Sequence, residues 1–243
     1  MARNLHDHFF KRAKDEGFLS RAAFKLIEID DRKRLVRPGD TVLDAGCAPG
    51  SWLQVLAQRV GRRGRVVGVD LKAVDERLFP GHVRIVQGDL TTIGVDELLG
   101  RWRDVAGVAE GAAASPDARR RARPPFDAIV SDMGPDTTGD PSGDSARSVR
   151  LCNALLDRCP ELLRRGGNLA MKVYEGGDYP ALLRRTQRLF DDAKGYKPAA
   201  SRGESVEIYV VAHGWRGDDA AIAEGHDAAP ARRRPSGGWK TPA

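Results

Sequence analysis

Short runs of aliphatic and β-branched residues alternate along this chain with segments whose apolar positions recur at helical spacing. The runs are Thr41–Ala45, Arg65–Asp70, Val83–Gln87, Asp127–Asp132, Asn168–Tyr174 and Val206–Ala212, and each predicts a strand. Ser20 supplies an N-cap for a helix with Ala22, Leu26 and Ile29 on one stripe, and Lys25 borders that stripe. A second helix is expected from Gly50–Ser51 to Gly61. A third carries Val149, Cys152, Leu155, Leu156, Cys159, Leu162 and Leu163 on its apolar face, and Gly166-Gly167 should stop it. A fourth runs from Asp178 to about Phe190. Strands alternating with helices predict an α/β fold, a mostly parallel sheet covered on both faces. The stretch Gly195–Ala200 and the run Val206–Ala212 stand too close for a helical crossover, so the sheet should end in an antiparallel pair.

The 243 residues, 41% hydrophobic and 30% charged, suffice for one such core. No stretch reaches the apolar length of a membrane span. The first residues lack the apolar core and cleavage site of a secretory signal. Three cysteines without a metal-type CxxC pair fit free thiols, and a cytoplasmic setting is expected. His6 and His8 form an HxH with no third ligand evident, so no metal site is expected. One domain should span residues 1–213, interrupted by an Ala-, Gly- and Arg-rich insertion near 104–125. Residues 214–243 lack periodicity and carry Arg232-Arg233-Arg234, which suggests a disordered basic tail. The net charge of +6 is modest, but Lys11, Arg12, Lys14, Arg21, Arg32, Lys33, Arg34 and Arg37 crowd the first segment. That stripe is either a phosphate track or a solvated helix face.

The glycine-rich turn Asp44-Ala45-Gly46-Cys47-Ala48-Pro49-Gly50-Ser51-Trp52 leads from the first strand into a helix. Such a turn lets a ligand approach backbone N–H groups at a helix N-terminus. Its spacing is not the dinucleotide GxGxxG. Asp70 at the end of the second strand is placed to accept from ribose hydroxyls, and Asp89 after the third suits an adenine amino group. Together these favour S-adenosylmethionine over NAD. Read separately, the same acids could do no more than cap strands or loops.

The fourth strand ends in Ser131-Asp132-Met133-Gly134-Pro135, the fifth carries Met171-Lys172-Val173 and the last carries Glu207-Ile208-Tyr209. With Ser20-Arg21-Ala22-Ala23-Phe24-Lys25-Leu26 and Ala48-Pro49-Gly50, these blocks follow one another as in the FtsJ/RrmJ family of ribose 2′-O-methyltransferases, which the chain resembles over residues 3–213 apart from the insertion. The resemblance implies a Rossmann-like, class I S-adenosylmethionine-dependent fold with a seven-stranded sheet. It implies a catalytic set of Lys25, Asp132, Lys172 and Glu207, with cofactor contacts at Gly50, Trp52, Asp70, Asp89 and Asp132. It also implies a uridine of 23S rRNA in the large ribosomal subunit as target, and a monomer.

The chemistry needed is alignment of a weak nucleophile with an activated methyl group and removal of the hydroxyl proton. A lysine serves as base only when neutral, which burial or a nearby cation favours and neighbouring acids oppose. Lys172 is the expected base and Asp132 its orienting partner, with Lys25 and Glu207 positioning the ribose. Cys47 and Ser51 stand where relatives often have Ala and Gly. Asp136 stands where Asn is expected, an unfavourable charge near a substrate phosphate. Methylation of tRNA riboses, or RNA binding by a non-catalytic ribosome-assembly factor, are the alternatives.

Overall fold

The computed structural model describes residues 2–94, 97–98, 126–201 and 205–217, with side chains from residue 8 onward. The insertion expected near 104–125, and the tail from residue 218, lie outside the described residues, as does the His6 side chain.

Seven strands form one sheet: β1 Thr41–Ala45, β2 Arg65–Asp70, β3 Val83–Gln87, β4 Phe126–Ser131, β5 Leu163–Tyr174, β6 Phe190–Tyr196 and β7 Glu207–Trp215. Their order is β3-β2-β1-β4-β5-β7-β6. β1 pairs in parallel with both β2 and β4, and β5 lies parallel to β4. β7 runs antiparallel to β5 on one side and β6 on the other. This is the seven-stranded, Rossmann-like arrangement of class I methyltransferases, parallel except where β7 is inserted.

Strand alternation sends successive side chains to opposite faces, and the sheet builds a core on each. Leu26 and Ile29 of α2 (Ala23–Lys33) and Leu53 and Leu56 of α3 (Ser51–Val60) pack on Val42, Val66, Ala128, Ala170 and Val211. On the other face, Cys152, Leu155 and Leu156 of α4 (Pro141–Leu162) and Leu182 of α5 (Tyr179–Leu189) cover Leu43, Val67, Ile129, Leu169, Met171 and Val210. Truncating one of the fully buried leucines to alanine would cost about 2–5 kcal/mol. Asp140 caps α4, accepting from the N–H groups of Ser142 and Gly143, with Pro141 in the first turn.

Several boundaries differ from the sequence expectation. A leading helix, α1 (Ala2–Asp15), precedes α2. α2 starts after Ala22 without a side-chain cap, so Ser20 is not its N-cap and instead accepts from the Ala22 N–H at 3.2 Å. α1 rests on α2 through Phe9 against Phe24, with the Arg12 guanidinium 4.4 Å from the Phe24 ring centre. α4 stops at Leu162, so Leu163 belongs to β5, where it pairs with Phe126. Gly166-Gly167 therefore stop no helix. They lie within β5, where the register against β4 shifts. The penultimate strand is Phe190–Tyr196 and not Gly195–Ala200. It is an edge strand that buries only Phe190 and Ala193, so its sequence carries little strand signal. β7 continues to Trp215, whose buried ring packs 5.1 Å from Phe190; the expected tail thus begins with two residues of the sheet.

Candidate active site

In an open parallel sheet, ligands bind beyond the carboxyl ends of the strands where the strand order reverses, and that point here lies between β1 and β4. The turn after β1 and the loop after β4 meet there. A Cβ on Gly46 would stand 2.7 Å from Met133 Cγ, so only glycine permits the approach. Gly50 has φ +112°, and a Cβ there would meet Phe79 at 2.4 Å. The Asp70 carboxylate braces this turn, accepting from the Ala48 and Lys72 N–H groups at 2.8 Å each. Asp89 accepts from the N–H and hydroxyl of Thr91, both at 2.8 Å. Both acids are half-buried: Asp70 ties its own loop to the glycine-rich turn, and Asp89 fixes the start of the loop that follows it. The Trp52 indole belongs to the core: it is 2% exposed, donates to the Ala22 carbonyl at 2.8 Å and lies 5.8 Å from the Tyr209 ring. Trp52 can reach a ligand only through its main chain at the start of α3.

Sequence reasoning gave no role to Asp44, which lies wholly buried on β1, under the turn. Neither carboxylate oxygen has a hydrogen-bond partner among the described residues. Burial pushes its pKa well above the ordinary carboxylate value, and the nearby charges of Asp132 and Asp70 push the same way. A buried acid without a partner signals a functional requirement.

Beside the turn, period-two alternation places Lys172 on the face of the sheet that α2 covers. Antiparallel register sets Lys172 opposite Tyr209, and Tyr174 opposite Glu207. Lys172 Nζ donates to the Asp132 carbonyl at 2.6 Å and stands 3.2 Å from Asp132 Oδ1. The Tyr209 hydroxyl donates to the same Oδ1 at 2.6 Å. Lys25 Nζ reaches down from α2 to Glu207 Oε2 at 2.8 Å. α2 is held for this by the segment before it. Ser20 and Ser51 share a hydroxyl hydrogen bond of 2.8 Å, Leu19 N–H donates to Gln54 Oε1, and the Gln54 amide donates to the Gly17 carbonyl. Ser51, a departure noted in the sequence, thus tethers the Lys25 segment to the glycine-rich turn. The four residues expected to act together stand together, as two ion pairs sharing one crevice.

The electrostatics are mutual. Burial is the largest single influence on Lys172 and favours the neutral amine. The charges of Asp132 and Glu207, with Tyr174, outweigh it and hold the pKa above the ordinary lysine value. Burial would raise Glu207, but Lys25 and then Lys172 overcome it and its pKa is lowered. Tyr209 is pushed well above the usual phenol, first by burial and then by Asp132, so it stays a donor to that carboxylate. Tyr209 and Tyr174 were both missed as site residues; their places opposite Lys172 and Glu207, respectively, follow from the β5–β7 register, which one sequence does not fix.

The sequence profile of the FtsJ-like methyltransferases matches residues 18–215. The chain belongs to that family. It is 42% identical over 211 residues to the ribosomal RNA large subunit methyltransferase E of Syntrophobacter fumaroxidans, covering 87% of this chain and 96% of that protein. The protein of the same name from Halobacterium salinarum is 41% identical over 224 residues, 92% of this chain and 78% of its own length. The one from Pseudomonas fluorescens is 33% identical, with 89% and 94% covered. A ribosomal RNA methyltransferase structure from Plasmodium falciparum shares the fold, with a TM-score of 0.66, 24% identity, 82% of this chain and all of that one covered. Among the described residues no helix is long and apolar enough to cross a membrane, and no cluster of His, Cys, Asp or Glu could hold a metal ion.

Proposed function

We propose that this FtsJ-like methyltransferase transfers the methyl group of S-adenosylmethionine to the ribose 2′-oxygen of a uridine in the 23S rRNA of the large ribosomal subunit, acting as a monomer. The observation that carries the reading is the convergence of the Lys172–Asp132 and Lys25–Glu207 pairs at the carboxyl ends of β4 and β5, beside the switch point of the sheet. Proteins named for the large-subunit rRNA reaction match almost the whole domain, which favours rRNA over tRNA. Exposed Lys11, Lys14, Arg32, Arg34 and Arg37 on and after the first two helices supply charge for an RNA backbone.

The residues present fit the cofactor. The glycines at 46 and 50 let the turn close against Met133 and Phe79, and the buried Asp44 carboxylate beneath it has no partner of its own among the described residues. A cationic ligand over Asp44 would favour its ionised form and offset the cost of burying that acid. Gly50 and the main chain of Trp52 would hold the amino-acid end, Asp70 the ribose, Asp89 the adenine, and Asp132 the side nearest the reaction. When bound, S-adenosylmethionine supplies a methyl group already activated by sulfonium charge.

The chain's own work is on the hydroxyl proton. Lys172 starts as an ammonium, because the acids around it outweigh burial. It must surrender that proton before accepting another, and positive charge brought beside it lowers its pKa. The base therefore forms in the loaded site and not in the free protein. Asp132, itself fixed by Tyr209, aims Lys172 Nζ. Nζ then takes the 2′-hydroxyl proton, while the Lys25–Glu207 pair positions the ribose. Methylation of unmodified large subunits, free large-subunit rRNA and bulk tRNA with labelled cofactor tests the assignment. Label as 2′-O-methyluridine in the large subunit is expected. Label confined to tRNA would replace the substrate, and cofactor binding without transfer to any RNA would leave a non-catalytic assembly factor.

A further inference from the structure

Tyr174 is held more firmly than the end of a strand requires. Its N–H donates to Ser148 Oγ and its carbonyl accepts from Ser145 Oγ, each at 3.0 Å, and both serines are buried on α4. Alternation along β5 puts its side chain on the Lys172 face, and register sets it opposite Glu207. The phenol and the ammonium converge over the loop after β4: a Cβ on Gly134 would lie 3.0 Å from the Tyr174 hydroxyl and 3.2 Å from Lys172 Nζ. A side chain at residue 134 would crowd both groups.

The two tyrosines of the site differ in what they bond. The Tyr209 hydroxyl is buried and used by Asp132. The Tyr174 ring is half-buried, and its hydroxyl has no hydrogen-bond partner among the described residues. Burial raises its pKa; Lys172 opposes this, but Glu207, Asp132 and Asp144 add to it, so the group stays protonated and available as a donor.

We infer that the Tyr174 hydroxyl is an RNA-binding group of this active site, donating to a ribose or phosphate oxygen of the nucleotide that is methylated. The inference rests on the proposed 2′-O-methyl transfer to RNA. A rigid donor beside Lys172 fits an acceptor-rich sugar–phosphate group, and one hydrogen bond there fixes the ribose relative to Nζ.

Tyr174→Phe keeps the ring and removes only the donor. Wild type and variant would be compared in steady-state methylation of unmodified large subunits, in binding of S-adenosylhomocysteine and in thermal melting. The expected result is a kcat/KM for RNA lower by roughly three- to tenfold, the scale of one neutral hydrogen bond, carried mainly by KM. Cofactor affinity and Tm should be unchanged, since the hydroxyl bonds nothing within the described protein. Equal kcat/KM in variant and active wild type would overturn this inference alone. A parallel loss of cofactor affinity would also overturn it, by moving Tyr174 into the cofactor pocket. A wild type that methylates no RNA would overturn the proposed function and this inference together.

Discussion

Glu207→Gln removes one charge from the site while keeping its shape and an oxygen able to accept from Lys25. In the wild type that acceptor is a carboxylate 2.8 Å from Nζ, with side-chain exposures of 9% for Lys25 and 21% for Glu207. Gln leaves Lys25 a hydrogen bond from its ammonium but removes the opposite charge, and an ion pair that keeps some exposure contributes up to about 1 kcal/mol. The substitution should therefore cost about 1 kcal/mol at pH 7, or about 2–4 °C in Tm for a domain of this size. The pH dependence follows from the lowered pKa of Glu207. A carboxyl of lowered folded pKa stabilises fully above its unfolded pKa of about 4.3, and that stabilisation is lost as pH falls through the folded value. Melting curves from pH 7 downward should show the two proteins converging in acid. The same variant removes one of the acids that raise Lys172, so the alkaline rise of its methylation rate should begin at lower pH. Equal Tm at pH 7, a gap that persists unchanged in acid, or a rate profile displaced upward would each refute this account of the pair.

Lys172→Arg keeps the positive charge but cannot lose a proton in the working pH range; methylation should fall by about 10²–10⁴-fold with cofactor affinity retained, and a rate near wild type would show that charge alone suffices. Gly50→Ala forces a side chain into φ +112° and against Phe79; a loss of about 1–2 kcal/mol from the backbone alone, with weakened S-adenosylhomocysteine binding by calorimetry, is expected. For Asp44→Asn, the raised pKa of the wild-type acid means its burial costs nothing at low pH and progressively more as pH rises above its unfolded value of about 3.9. Melting should therefore favour the variant increasingly between pH 4 and 7, while its cofactor affinity falls; a pH-independent difference would count against a buried, unpartnered carboxyl.

The parts of the fold legible in the sequence are those with a strong period. β1, β2 and β3 have the bounds their apolar runs announce, and α3 begins at Ser51, as its glycine turn implies. The edge strand β6 was misplaced because Phe190-Asp191-Asp192-Ala193-Lys194-Gly195-Tyr196 buries so little. Leu163 fits the helical spacing of α4 yet opens β5, since a buried leucine serves either element equally well. At the site, Lys25, Asp132, Lys172 and Glu207 were each ordinary when taken singly, and matching blocks in order made them a set. The partners that set their charge were not legible. Tyr209 bonds Asp132 across 77 positions and Lys25 pairs with Glu207 across 182, distances over which only the folded register brings residues together. Asp44 stood in view inside the turn, but its lack of a partner is a property of the packed structure.

The most direct test is a single-turnover methylation of unmodified large ribosomal subunits by wild type and by Lys172→Ala, with the rRNA digested to nucleosides. The account predicts label in 2′-O-methyluridine with the wild type and none with the variant, although both bind S-adenosylhomocysteine. Label on a base instead of a ribose, or undiminished transfer by Lys172→Ala, would contradict it.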